Sequence, residues 1–258
     1  MAAAAGSPSR GAASATVSVT YERECREILE TVYEGLDGGF ETLESLKRMG
    51  PTAGTYGEIT YAGVAKLLQN LEKLSRERDS QDERIISSAD VFYDLGCGVG
   101  KLLMQVMLTT FVRRVVGIEW GEARHRKSVE ARQRLAEQFF GTSNQEDATT
   151  LADRMELRCE DVAKTDVSDA TLVFFCCVVF EEEVVHRVAQ RLLEGATKLR
   201  YLMLTQKLAI EGLRAPQPFA QERRFALVDR WCLPMSWTSE NGGNMVYVYR
   251  PKLERAVV

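Results

Sequence analysis

The chain is predicted to be an α/β protein whose parallel sheet closes with an antiparallel pair, and three observations carry that reading. From Val91 onward short apolar runs alternate with stretches of helical period, the pattern of βαβ units. The first of these runs, VFYDL, passes directly into the glycine-rich DLGCGVGK and then into KLLMQVMLTT, a strand, a tight turn and a helix in succession. The tail abandons the alternation, since ALVDRWCLPMSWT and NMVYVYR are separated by SENGG, whose Asn-Gly-Gly suits a hairpin.

In chain order, residues 1–16 are mostly Ala, Gly, Ser and Pro with almost nothing to bury, and are expected to form a disordered tail. Residues 17–87 read as a small helical cap. Ile28, Leu29, Val32 and Tyr33 have helical spacing, and Gly35, Gly38 and Gly39 divide Tyr21 to Lys47 into two short helices. The loop TAGTYGE follows Gly50-Pro51, and a third helix runs from Tyr61 to Leu74 with Val64, Leu67, Leu68, Leu71 and Leu74 on one face. Residues 88–258 form the α/β domain, with strands at VFYDL, RRVVGIE, MELRC, TLVFFCCVVF and YLMLTQ and helices starting near Val99, Ala123 and Glu181. No internal repeat is visible.

A length of 258 residues is enough for a full core without staples. The six cysteines lack the paired spacing of a zinc site or a disulfide framework and read as reduced intracellular thiols. With no run of eighteen apolar residues and no signal-like start, a soluble intracellular protein is expected. A net charge of −4 argues against coating nucleic acid through overall charge. Between Arg113 and Arg134, however, seven Arg and Lys face three Glu. That stretch reads as a solvated helix face, with weak contact to DNA the alternative. His125 and His186 sit in charge-rich helical stretches and read as surface positions. Nothing in the sequence sets an oligomeric state.

The turn Asp94-Leu95-Gly96-Cys97-Gly98-Val99-Gly100-Lys101 lets backbone approach a ligand and aims helix N–H groups at it. Its G-x-G-x-G spacing departs from the dinucleotide fingerprint and from the phosphate loop. Asp94 would repel a pyrophosphate but can accept from an ammonium group or an ordered water. Glu119, at the end of VVGIE, stands where a carboxylate accepts from both ribose hydroxyls. DLGCGVG followed by VVGIE resembles the S-adenosylmethionine-dependent methyltransferases, which implies a Rossmann-like seven-strand sheet and S-adenosylmethionine as cofactor. That resemblance also implies an adenine contact from Asp161 in RCEDV, for which a cap or turn role is the plain alternative.

Three further segments, Tyr56-Gly57-Glu58, DLGCGVGK and Ser236-Trp237-Thr238, stand in the order seen in the disruptor-of-telomeric-silencing family, the histone lysine methyltransferases without a SET domain. The resemblance spans roughly residues 50 to 250. It implies that Tyr56 and Glu58 lie on a loop covering the methionine end of the cofactor. Gly96, Gly98, Gly100 and Lys101 would form the turn beneath, and Val162 replaces the family's aromatic residue beside adenine. It further implies a nuclear location and, as partner, the nucleosome or histone H three, methylated on a lysine of its globular core. The family's N-N-F-x-F segment is replaced here by Cys176-Cys177-Val178-Val179-Phe180, keeping only the last aromatic. A thiol is a weak donor and acceptor where asparagine offers both strongly, so this exchange puts the family's activity in doubt.

Methyl transfer to an amine needs alignment and exclusion of water rather than a nucleophilic side chain. A lysine with a pKa of about 10.4 is neutral in fewer than roughly one molecule in a thousand at pH 7, so an apolar channel is required. Cys176, Phe180, Trp237 and Tyr56 are the expected lining, with Tyr247 or Tyr249 as a further aromatic wall. Methylation of another protein or of RNA, or an inactive cofactor-binding chromatin module, are the competing readings. The absence of an N-P-P-Y type segment argues against base-amine methylation.

Overall fold

A computed structural model describes residues 22–36, 47, 55–78, 86–139, 154–208, 221–239 and 242–255. The expected tail over 1–16 and residues 37–46 of the expected second helix lie outside them. In chain order the elements are α1 (22–32), α2 (Tyr61–Arg78), β1 (Val91–Leu95), α3 (Lys101–Thr109), β2 (Arg114–Ile118), α4 (Glu122–Phe139) and β3 (Met155–Arg158). Then come β4 (Leu172–Phe175), α5 (Glu182–Gly195), β5 (Tyr201–Leu204), β6 (Gln221–Leu233) and β7 (Asn244–Arg255).

One seven-stranded sheet has the order β3-β2-β1-β4-β5-β7-β6. β1 pairs in parallel with β2 on one side and β4 on the other, as do β2 with β3 and β4 with β5. β7 lies antiparallel between β5 and β6, and its pairing with β6 is the antiparallel pair expected around SENGG. Every residue of β1 is buried because helices cover both faces of the sheet, which is why these strands are continuous apolar runs rather than alternating ones. On one face α1 to α4 share a single core, including Leu29, Leu67, Leu71, Leu103 and Leu135. On the other, α5 supplies Val185, Val188 and Leu192. None of the described helices is long and apolar enough to cross a membrane.

Strand order reverses between β1 and β4, so the carboxyl ends of β1, β2, β3 and β4 open onto one crevice. Asp94, Glu119, Asp161 and Cys176 are all at that edge, which is how four distant residues share a site.

Three expected boundaries shift. The run TLVFFCCVVF is strand only over Leu172–Phe175. Beyond it the Cys177 N–H donates to Thr205 Oγ1 at 2.7 Å and the Phe180 N–H to the Cys177 carbonyl at 3.0 Å, closing a turn. Apolar composition extended the run past the point where a neighbouring strand could pair with it. The third predicted helix continues to Arg78 through polar residues that periodicity does not register. β6 begins at Gln221, ahead of its apolar stretch, because its register with β7 continues past a bulge between Leu227 and Asp229.

Candidate functional site

The glycine turn is pinned to the end of β2. The Gly96 and Cys97 N–H groups both donate to the Ile118 carbonyl, at 2.8 and 3.0 Å. Gly98 and Gly100 have φ of +56° and +85°, values that L side chains rarely adopt, and Gly100 is the N-cap of α3. From α1, Tyr33 Oη donates to the Val99 carbonyl at 2.8 Å and so supports the turn from behind. Sequence reading missed that contact; Tyr33 lay in the apolar helical stripe and registered only as packing.

Glu119 is 5% exposed, and each carboxylate oxygen accepts one backbone N–H: Oε2 from Gly98 at 2.9 Å and Oε1 from Gly121 at 2.7 Å. An oxygen with two lone pairs can accept a ribose hydroxyl besides its backbone donor, so the pair is oriented to grip a diol. Asp94 is 4% exposed. Burial, and secondarily the charge of Glu119, push its carboxyl up to about 8. An incoming ammonium group would favour the ionised form, so an amino acid headgroup fits here. Asp94 lines a small recess of about 30 Å³ with Gly98, Lys101, Glu58 and Cys176.

This recess adjoins a cavity of about 600 Å³ that receives Tyr56, Gly96, Glu119, Asp161, Val162, Cys176, Phe180 and Trp237. Asp161 follows β3, and its Oδ1 accepts from the Ala163 N–H at 2.9 Å, so the turn role holds while the residue also faces the cavity. Trp120, 46% exposed, lines the cavity next to Glu119 and was missed. Its position directly after the acidic end of β2 was the available signal. Arg124 lines the cavity too.

The covering loop and the Ser-Trp-Thr segment meet. Ser236 donates its N–H to the Glu58 carbonyl at 2.8 Å, and Glu58 returns its own to Ser236 Oγ at 2.9 Å. Ile59 bridges Met235 antiparallel, so residues 58–60 run as a short extended piece against 234–236. Gly57 lies under the Trp237 ring so closely that a Cβ there would be 2.3 Å from Cε3. Tyr56 reaches over the turn: its hydroxyl donates to Glu58 and accepts from the Val99 N–H at 3.4 Å. Lys101 Nζ holds Glu58 Oε2 at 2.8 Å. Lys101 thus anchors the cover, while Gly100 lines neither cavity.

At the far wall Phe180 packs edge-on against Phe175 with ring centroids 4.8 Å apart. Cys176 is half-buried at the junction of the two cavities. Burial, with the charge of Asp94 adding to it, pushes its thiol up to about 12. It is therefore a neutral thiol at pH 7. Cys177 is buried and faces Thr205. Two expectations are corrected here. Tyr249 is fully buried core, its hydroxyl accepting from the Leu208 N–H at 2.9 Å, and Tyr247 packs on the same cluster; neither lines the cavity. The cause is the hairpin register, which pairs Tyr249 with Leu202 and Tyr247 with Leu204 of β5, away from the crevice at β1 and β4.

The basic stretch is largely committed within the fold. Arg114 holds Glu156 and Asp169, Arg132 donates to the Met155 carbonyl, and Arg134 to Glu130 and the Glu34 carbonyl. Among the described residues there is no group of three or more His, Cys, Asp or Glu able to hold a metal ion.

Comparison with solved structures gives an RNA methyltransferase of Salinibacter ruber in complex with S-adenosyl-L-homocysteine, at 19% identity over 74% of this chain and 93% of that one, with a TM-score of 0.41. It also gives the magnesium protoporphyrin IX methyltransferase of Synechocystis PCC 6803 with bound SAM, at 13% identity over 92% of this chain and 96% of that one, with a TM-score of 0.42. The curated proteins contain no match. The family described as histone methylation protein DOT1 matches residues 42–243, a span that holds the covering loop, the glycine turn, all four sheet-edge residues and Trp237. The chain belongs to the family of the histone methylation protein DOT1.

Proposed function

We propose that this protein is an S-adenosylmethionine-dependent protein-lysine methyltransferase that acts in the nucleus on histone H three of the nucleosome. One observation carries the reading: a cavity and the small recess adjoining it together collect an ammonium acceptor (Asp94), a diol acceptor (Glu119), an acid at the third strand (Asp161) and apolar walls (Phe180, Trp237). These groups fit S-adenosylmethionine from amino acid to adenosine, and family membership adds the histone.

When bound, the sulfonium cofactor supplies an electrophilic methyl group. This chain's part is to orient and to dry the site. Asp94 and Glu119 fix the two ends, Tyr56 and Glu58 cover the glycine turn, and Trp237 closes on Gly57. Phe180, Val178, Val179 and Trp237 give the acceptor lysine an apolar entry that favours its neutral form. As a protonated thiol, Cys176 does not compete with lysine for the methyl group, because the thiolate is the nucleophilic form.

Incubation with nucleosomes, free histones and total RNA in the presence of labelled cofactor tests this. Label on histone H three is expected; label only on RNA or on another protein overturns the substrate. The absent asparagine pair favours a second reading, a module that binds the cofactor without turnover. Calorimetric binding with no label on any histone form would select it.

A further inference from the structure

Arg124 stands in the first turn of α4, where a cation opposes the helix dipole, and it is 7% exposed, a costly place for a guanidinium. Two neighbours offset that cost. Its Nη1 lies 3.8 Å from Glu119 Oε1, an ion pair at the ribose end of the cavity. Its guanidinium also sits over the Tyr56 ring, 5.1 Å from the centroid, in cation–π contact with the covering loop. Tyr56 in turn lies against Gly98, whose N–H holds the other oxygen of Glu119. Cover, glycine turn and ribose acid therefore close into one ring of contacts, in which Arg124 joins the cover to the acid through side chains on the side opposite Gly98.

We propose that Arg124 is a positioning residue that couples the cover to the ribose site, so that cofactor contact at Glu119 and seating of Tyr56 occur as one event. The charge of Arg124 steadies the Glu119 carboxylate, and its planar face gives the Tyr56 ring a fixed seat. A lysine would keep the charge but not the flat stacking surface.

The inference rests on the assignment of Glu119 to the ribose, and the test separates the two. S-adenosylhomocysteine binding is measured by calorimetry from pH 6 to 8 for the wild type, R124K, R124M and E119Q, with hydrogen exchange of residues 55–60 followed in the free and saturated proteins. R124M is expected to bind about tenfold more weakly at pH 7. Its affinity should also fall more steeply towards pH 6, because the neighbouring acids Asp94 and Glu119, with Tyr56 and Cys97 beside them, lose the cation that offsets their mutual repulsion. In R124M the cofactor product should no longer slow exchange over 55–60. R124K should recover the pH profile but not the exchange protection. A merely structural role would lower the melting temperature and leave both the pH slope and the protection unchanged. R124M or R124K that binds with wild-type affinity, slope and protection overturns the coupling. E119Q with wild-type affinity overturns the ribose assignment instead.

Discussion

One end of the site is local in the chain: Asp94, Gly98 and Glu119 belong to a single β1–α3–β2 unit, in which the Gly98 N–H fixes the Glu119 carboxylate. The other, which reaches back over the turn through Tyr56, draws Tyr56, Cys176, Phe180 and Trp237 from three segments that meet only after folding, and it acts through side chains. The contrast has a physical consequence. Backbone geometry at the first end admits almost no substitution, whereas loop side chains at the second can be exchanged while the loop is held by other bonds. Gln206 supplies such bonds, its Nε2 donating to the carbonyls of Cys177, Val178 and Phe180. The exchange of two asparagines for Cys176 and Cys177 falls in the second region.

If that contrast holds, the largest effect belongs to Gly98. Its φ is +56°, and a Cβ there would lie 2.6 Å from Tyr56 Oη, so G98R combines backbone strain with displacement of the cover. S-adenosylhomocysteine affinity should fall more than about 100-fold, the equivalent of roughly 2.7 kcal/mol, with calorimetry as the measurement. Retained binding would mean that the glycine turn is not the cofactor site. On the proposed ribose role of Glu119, E119A comes next, the loss of a charged acceptor for two hydroxyls costing about 30-fold in the same assay.

Most of the first region was legible in the sequence. A strand entering a glycine turn and a second strand ending in an acid are local patterns, and the parallel sheet places their ends side by side whatever the rest of the chain does. The second region was legible only in its parts. YGE and SWT could be singled out, but their mutual hydrogen bonds join residues 58 and 236, and no local rule pairs them. Tyr247 and Tyr249 were misjudged for the same reason, since which tyrosine faces a cavity depends on hairpin register rather than composition. Tyr33, Trp120 and Arg124 were missed because each resembles ordinary packing or surface until the neighbouring element is known.

Across the divide, G57A probes the cover without touching the turn. Its Cβ would collide with the Trp237 ring, and overpacking of this kind should lower kcat/KM about tenfold while cofactor affinity changes less. An affinity loss matching that of G98R would erase the distinction between the two regions.

A smaller effect separates them by pH. Burial, and secondarily the charge of Glu119, raise Asp94 to about 8 in the free protein, and a bound ammonium group would favour its ionised form, so binding releases a proton. Affinity should therefore rise with pH, by about fivefold between pH 7 and 8, and level off above. The sign for stability is opposite. A carboxyl whose folded pKa is raised makes the empty protein less stable as pH climbs from its unfolded value near 4 towards 8. The thermal shift given by S-adenosylhomocysteine should accordingly grow over that range, and D94N should flatten both profiles.

The smallest expected change tests whether the second region is as exchangeable as its construction implies. Cys176 is a neutral thiol between the two cavities and makes only weak hydrogen bonds, so C176A should leave S-adenosylhomocysteine affinity within about twofold. C176N would restore an amide able to accept from the incoming amine while Gln206 still holds the loop backbone. A single added hydrogen bond to the acceptor should raise kcat about threefold with little change in cofactor affinity. The measurement is kcat against KM on nucleosomes for the three proteins. Lower activity in C176N than in C176A would show that the pocket has repacked around the thiol, making the acceptor end as intolerant of exchange as the glycine turn.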